Sequence, residues 1–207
     1  MGYTVTEWRN RLSERTDLST SIVHLTRRGR HNNVIDQLLE ILTEKKLIGS
    51  TTESGFIVGD IPAVCFQDAP LQSISQNIWF EQKYRKTNKS AKIRYRAVGL
   101  AFKKTYAYRR GARPVLYEQT RQAKRILPPE EWWRIVNFDL SNDDSIIDWT
   151  HEREWRAPND FKFAISQATV LVPNAKAYKA LMEACMDRGL DIHLKVKGIV
   201  VMNILLF

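Results

Sequence analysis

"SIVHLTRRGRHNNVIDQLLEIL" occupies residues 21–42, and the class of fold depends on how it is read. "SIVHLT" alternates as a short strand does. Ile22, His24 and Thr26 fall on one face, and Val23 and Leu25 on the other. The basic turn "RRGRHNN" breaks that period. After it the spacing changes to that of a helix, with Val34, Ile35, Leu38, Leu39, Ile41 and Leu42 forming an apolar stripe. Gly49 fits as its stop. The chain thus opens with a strand and a helix, and the remainder is mostly strand with helices interspersed. Regular strand–helix–strand alternation is missing, which argues against a doubly wound fold. The pattern predicts α+β with a mixed, largely antiparallel sheet and flanking helices.

Working outward, "TVTEWRNRLSER" places Val5, Trp8 and Leu12 on one helical face behind Thr4 or Thr6 as a cap. "PLQSISQNIWFEQKY" predicts a second long helix. "YRAVGLAF" (95–102) and "RGARPVLYE" (110–118) predict two strands paired as a hairpin. "PPEEWWRIVNF" has the double proline of a helix start, and "HEREWRA" alternates like a strand. "NAKAYKALMEACMDRGL" predicts a helix closed by Gly189, and "DIHLKVKGIVVMNILLF" ends the chain in strands. No repeat or linker composition interrupts the sequence. The expectation is one domain over 1–207: a helical segment 1–19, a central region 20–165 and a strand–helix–strand completion 166–207.

The 207 residues are 43% hydrophobic and 27% charged, enough to bury a core. The net charge of +9 is uneven. Residues 83–125 hold fifteen lysines and arginines, with Glu118 the sole acid among them. A block this basic favours an anionic partner, nucleic acid first. Lys92, Arg94, Arg96, Lys103, Lys104, Arg109 and Arg110 are the expected phosphate contacts, and a solvated basic face is the competing reading. Cys65 and Cys185 lie far apart in dissimilar settings and give neither a disulfide framework nor zinc spacing. No apolar run reaches the roughly 20 residues of a membrane span. With no signal pattern at the start, a cytoplasmic protein is expected.

Phosphate-cradling glycine loops, HExxH and GxSxG are all missing, and no metal site is expected. The densest chemistry is "DWTHEREWRAP", residues 148–158. Strand alternation would put Glu152, Glu154 and Arg156 on one side and Arg153 and Trp155 on the other. Alone this reads as a salt-bridged edge strand. A nuclease built on Asp148, Glu152 and Glu154 ranks last, because no lysine comes after them at a familiar spacing. His24 in an apolar strand reads alone as a satisfied core residue. The arginines Arg27, Arg28 and Arg30 beside it offer a phosphate grip.

Taken together, "VHLT", the helix "VIDQLLEIL", "VCFQDAP", "VGLAFKK…RPVLYE" and "HEREWR" resemble ADP-ribosyltransferases in their order along residues 20–165. The layout also resembles AbiGi-type phage-resistance proteins and, more distantly, DarT-type toxins. The resemblance implies NAD as cofactor, bound by His24 and Thr26, with Arg27 or Arg28 on its pyrophosphate and Phe66 or Gln67 near the site. It implies Glu154 as the catalytic carboxylate that steadies the cationic transition state at the nicotinamide ribose. Glu152 would orient or deprotonate the acceptor. The middle element of the family's catalytic triad has no assignable counterpart, and Tyr84, Tyr95, Tyr106 and Tyr108 compete for a stacking role. The implied function is a NAD-dependent ADP-ribosyltransferase of the glycosyltransferase class acting on nucleic acid or protein. Its role would be that of a toxin or phage-defence effector, with a cognate antitoxin or regulator as a partner. The alternative is a non-catalytic nucleic-acid-binding or regulatory module using the basic 83–125 block. The oligomeric state is not legible.

Overall fold

The computed structural model describes residues 2–26, 33–89 and 95–205. In chain order these form α1 (Val5–Ser13), β1 (Ser21–Leu25), α2 (Val34–Glu44), β2 (Lys46–Leu47), β3 (Ala63–Gln67), α3 (Leu71–Thr87), β4 (Gly99–Lys103) and α4 (Lys104–Arg109). Next come β5 (Arg113–Pro114), β6 (Leu116–Glu118), α5 (Thr120–Ile126), β7 (Ile135–Asn137), β8 (Glu154–Pro158), β9 (Phe161–Lys162), β10 (Thr169–Val172), α6 (Ala175–Asp187), α7 (Ile192–Lys195) and β11 (Gly198–Val201). The class is α+β. The chain divides into two compact units. The first is Met1–Lys45, Ala69–Lys103 and Phe163–Phe207, and the second is Lys46–Asp68 and Lys104–Lys162. Both units are discontinuous in sequence, so no linker composition marks their boundary.

The first unit carries a mixed sheet. β1 pairs antiparallel with β4, β4 antiparallel with β10, and β10 parallel with β11. The parallel pair needs a crossover, which α6 and α7 supply. Alternation in β1 sends Val23 and Leu25 into a core with Ile74 and Ile78 of α3, Leu171 and Met202. In α2, Leu38, Leu39 and Leu42 are buried, as the stripe predicts, and the Asn33 side chain caps its start by accepting from the Asp36 amide. Its stop differs from expectation. Lys45 takes the left-handed conformation (φ 53°) and ends the helix before Gly49. Gly49 belongs to the second unit, where it meets a different need. A Cβ there would lie 2.6 Å from the Asn159 carbonyl oxygen, so glycine permits a close approach of two backbones. Gly99 does the same in the first unit, where a Cβ would lie 2.0 Å from the His24 carbonyl oxygen.

In the second unit β8 is flanked by β3 and β5, both antiparallel to it, so "EWRAP" is an interior strand of this unit and not an edge. Two ribbons accompany it, β2 with β9 antiparallel and β6 with β7 parallel. The hairpin expected between "VGLAF" and "RPVLYE" does not form. α4 begins directly after β4, and β5 and β6 find partners far away in sequence. "PPEEWWR" makes a 3-10 turn at Pro129–Arg134, after which Ile135–Asn137 is strand. "DIHL" likewise forms α7 where a strand is expected. No helix among the described residues is long and apolar enough to cross a membrane.

Candidate functional site

The 148–158 segment is not one strand. The Asp148 carboxylate accepts from the Thr150 amide (2.8 Å) and hydroxyl (2.6 Å), which starts a 3-10 turn at Thr150–Glu152. Those hydrogen bonds, the hydroxyl first, hold Asp148 below the usual carboxylate range. Arg153 then adopts a left-handed conformation (φ 44°) and turns the chain into β8, which begins at Glu154. The expectation that Glu152 and Glu154 share a strand face is therefore corrected. Glu152 sits on the turn, half-buried, and only Glu154 and Arg156 share a face.

That face is polar and largely buried. Arg156 grips the Glu154 carboxylate at both oxygens, Nε to Oε1 at 2.8 Å and Nη2 to Oε2 at 3.2 Å. Its Nη1 donates to the carbonyls of Trp133 and Ile135, each at 2.9 Å. Glu154 is 6% exposed and Arg156 is 3% exposed. Such a pair persists in the interior only with good geometry and its remaining protons satisfied, and Arg156 has both. Burial alone would lower the Arg156 guanidinium, but the charge and hydrogen bonds of Glu154, with Cys65 and Glu152 contributing, together outweigh that and leave it raised. Around the pair, the Glu154 amide donates to the Tyr117 hydroxyl at 2.6 Å, and Val115 N–H donates to the Glu154 carbonyl. Burial first, with the Glu154 charge contributing, pushes the Tyr117 phenol up to about 12. Cys65 lies opposite Arg156 in the register, and burial pushes its thiol well above the ordinary value.

Gln67 lies directly opposite Glu154 in the β3–β8 register, and so on the same face. It is 5% exposed, and its Oε1 has no hydrogen-bond partner. A buried acceptor without a donor costs stability that folding does not recover. Here it sits beside a carboxylate whose oxygens still have lone pairs to offer. Gln67 Oε1 and the Glu154 carboxylate thus place two acceptors side by side on one face.

The other expected site residues fall variously. His24 lies in β1 opposite Leu100, on the strand face away from the Val23–Leu25 core, and is half-buried. Thr26 donates its amide to Val98 O at 2.7 Å, is 3% exposed, and leaves its hydroxyl without a partner. Both belong to the first unit. Arg27, Arg28, Lys92 and Arg94 lie outside the described residues. Phe66 points to the face of β3 opposite Gln67. It is 1% exposed and packs edge-on against Phe161, with centroids 5.1 Å apart, as a core side chain does. Arg96 is half-buried and Lys103 exposed in the first unit, while Arg109 and Arg110 are exposed in the second. Lys104 is held in an ion pair with Asp68 at 2.7 Å, and Asp68 also accepts from the Trp155 indole at 3.2 Å. The ion pair gives Lys104 a structural partner, where a free phosphate contact is expected.

Tyr117 is the tyrosine that reaches Glu154, and it is not among the four that compete in the sequence. Its position depends on the parallel β6–β7 pairing, for which the sequence carries no local signal. Among the described residues no three His, Cys, Asp or Glu side chains are placed to hold a metal ion. The chain matches no family model, no curated protein and no solved structure.

Proposed function

We propose that the protein is a NAD-dependent ADP-ribosyltransferase in which Glu154 is the catalytic carboxylate, acting on a nucleic-acid or protein acceptor as a toxin or phage-defence effector. The observation that carries this reading is the unpartnered Gln67 Oε1 beside the Glu154 carboxylate on one sheet face. Side chains opposite each other on neighbouring antiparallel strands stand about 5 Å apart at Cβ, a spacing suited to the two hydroxyls of a ribose. NAD fits this donor–acceptor balance, since its riboses supply donors and the site supplies acceptors. When bound, NAD would supply a glycosidic bond whose cleavage releases neutral nicotinamide, so no general acid is needed. Glu154 then places fixed negative charge where positive charge grows on the sugar, in a site where burial strengthens the attraction. Arg156 holds that carboxylate in place through hydrogen bonds to both of its oxygens. Glu152, on the turn one residue ahead of Arg153, is positioned by a separate local element and serves the acceptor.

The test is nicotinamide release and adduct detection by mass spectrometry on DNA, RNA and protein incubated with NAD. Glu154→Gln is expected to lower turnover by about 100-fold or more, the size seen when one group stabilising a transition-state charge is lost. Full activity in that variant refutes the assignment.

A second reading is favoured by the same pair's burial. Glu154 and Arg156 would be a structural clamp tying β8 to the backbone at Trp133 and Ile135, within a non-catalytic nucleic-acid-binding or regulatory module. Stabilisation of the fold by added NAD separates the two, because only a NAD-binding protein gains it.

A further inference from the structure

The other face of the second unit's sheet carries a feature that the catalytic reading does not use. Phe66 points away from Glu154 and packs on Phe161, and Phe161 is part of the wall of a depression of about 490 Å³. Tyr106, Arg109, Arg110, Asp160 and Lys162 line the rest. Three cations therefore surround one concavity with a single carboxylate among them. That carboxylate is already engaged. Asp160 accepts from the Gly49 amide at 3.0 Å and faces the Lys46 ammonium at 3.6 Å. The positive charge of Arg109, Arg110 and Lys162 is left without an equal counter-charge from the lining.

The arginines are also arranged. The Arg110 guanidinium lies 4.9 Å from the Tyr106 ring centroid, and its Nη1 donates to the Lys162 carbonyl at 3.1 Å. Those two contacts hold its fork in place and bring α4 against β9. Arg109 and Lys162 are exposed and line the same depression. A fixed guanidinium with a second arginine and an ammonium nearby matches the oxygens of a phosphate ester. The volume exceeds what one phosphate fills and lies within the range of small-molecule sites. Tyr106, half-buried and packed edge-on against the buried Phe161 at 6.4 Å, forms the floor on which the Arg110 guanidinium rests.

We propose that this depression binds the phosphate group of a nucleotide, free or within a nucleic-acid strand, through Arg109, Arg110 and Lys162. The binding statement stands without the catalytic reading; as a description of how the acceptor is held, it rests on it.

The experiment is calorimetric titration with adenosine monophosphate, with inorganic phosphate as competitor, and with a 12-nucleotide single strand as a parallel arm. Wild type is compared with the double variant Arg109→Gln/Lys162→Gln and with Lys176→Gln/Lys179→Gln on the exposed face of α6. The mononucleotide is expected to bind, to be displaced by phosphate, and to lose about tenfold or more in affinity in the Arg109/Lys162 double variant. The α6 variant is expected to stay within about twofold, which controls for bulk charge. Nicotinamide release from NAD is measured on the same variants, so loss of catalysis and loss of this site are read separately. If the strand loses the same factor, nucleic acid is a source of the phosphate. If only the mononucleotide does, a free nucleotide is. No mononucleotide or strand binding, binding unmoved by the Arg109/Lys162 change, or binding that phosphate fails to displace overturns the proposal.

Discussion

Two charged clusters of the second unit differ in one respect that separates folding from binding. At Glu154 and Arg156 each charge meets its opposite in a bidentate grip, and the spare guanidinium protons reach backbone carbonyls. At Arg109, Arg110 and Lys162 the charges are exposed, and the nearby acid is shared with Lys46. The first arrangement is complete in what it offers cations, and Gln67 Oε1 beside it lacks only a donor. The second lacks an anion. Breaking the paired cluster therefore costs stability first, whereas breaking the open one costs the binding of an anion. Lys104 makes the same point within the basic block. Its partner Asp68 makes it part of the fold, although in sequence it is indistinguishable from Arg109.

The largest effect expected from breaking this comparison is at Arg156. Replacing Arg156 by Ala leaves the Glu154 carboxylate buried without its partner and frees two backbone carbonyls. Losses of about 3–5 kcal/mol are typical when one member of a buried pair is removed. Urea unfolding of Arg156→Ala should show a drop of that order in midpoint and free energy. A loss under about 1 kcal/mol would mean that the pair is far more hydrated than its burial indicates.

The part of the fold that is legible in sequence is the local part. The alternation of β1, the stripe of α2 and the Thr4 cap of α1 each depend on residues within a few positions. In α1 the capping box is present in full, with Glu7 accepting from the Thr4 amide at 2.8 Å. The misreadings involve competition at long range. "HEREWR" alternates perfectly, yet the Asp148–Thr150 hydrogen bonds and the left-handed Arg153 claim its first half for a turn. The "RPVLYE" strands pair with residues 135–137 and 155–156 and not with their predecessor, because those partners cover them and the helix at 104–109 redirects the chain. Of the site, the types of residue were readable and their grouping was not. The i, i+2 relation of Glu154 and Arg156 predicts a shared face, and the structure has it. The closeness of Gln67 and Tyr117 to Glu154 requires the registers of β3 and β6, which no short-range pattern encodes.

A smaller effect sharpens the closed side of the comparison through pH. The Tyr117 phenol stands at about 12 in the folded chain against an ordinary 10.0. Between those values the unfolded chain has released this proton and the folded chain has kept it. The unfolded state is then favoured progressively as pH rises, by linkage. The phenol's contribution is constant below about pH 9 and declines toward pH 12. Tyr117→Phe removes the titration together with the acceptor of the Glu154 amide. It should be less stable than wild type at pH 8, and the gap should narrow at pH 11. Urea midpoints at the two values test this, and a constant gap would mean that the phenol titrates alike in both states.

The smallest effect belongs to the open side. Arg109→Gln alone removes one exposed cation from a crowded set and uncovers no buried partner, so stability should change by no more than about 0.5 kcal/mol, as for surface substitutions generally. Relief of repulsion from Arg110 and Lys162 would push the sign toward stabilisation at low salt and toward zero as salt screens the charges. Thermal unfolding at two ionic strengths measures both the size and the trend. A loss above about 1 kcal/mol would show that Arg109 is built into the fold as Lys104 is, and would move it from the open cluster to the closed one.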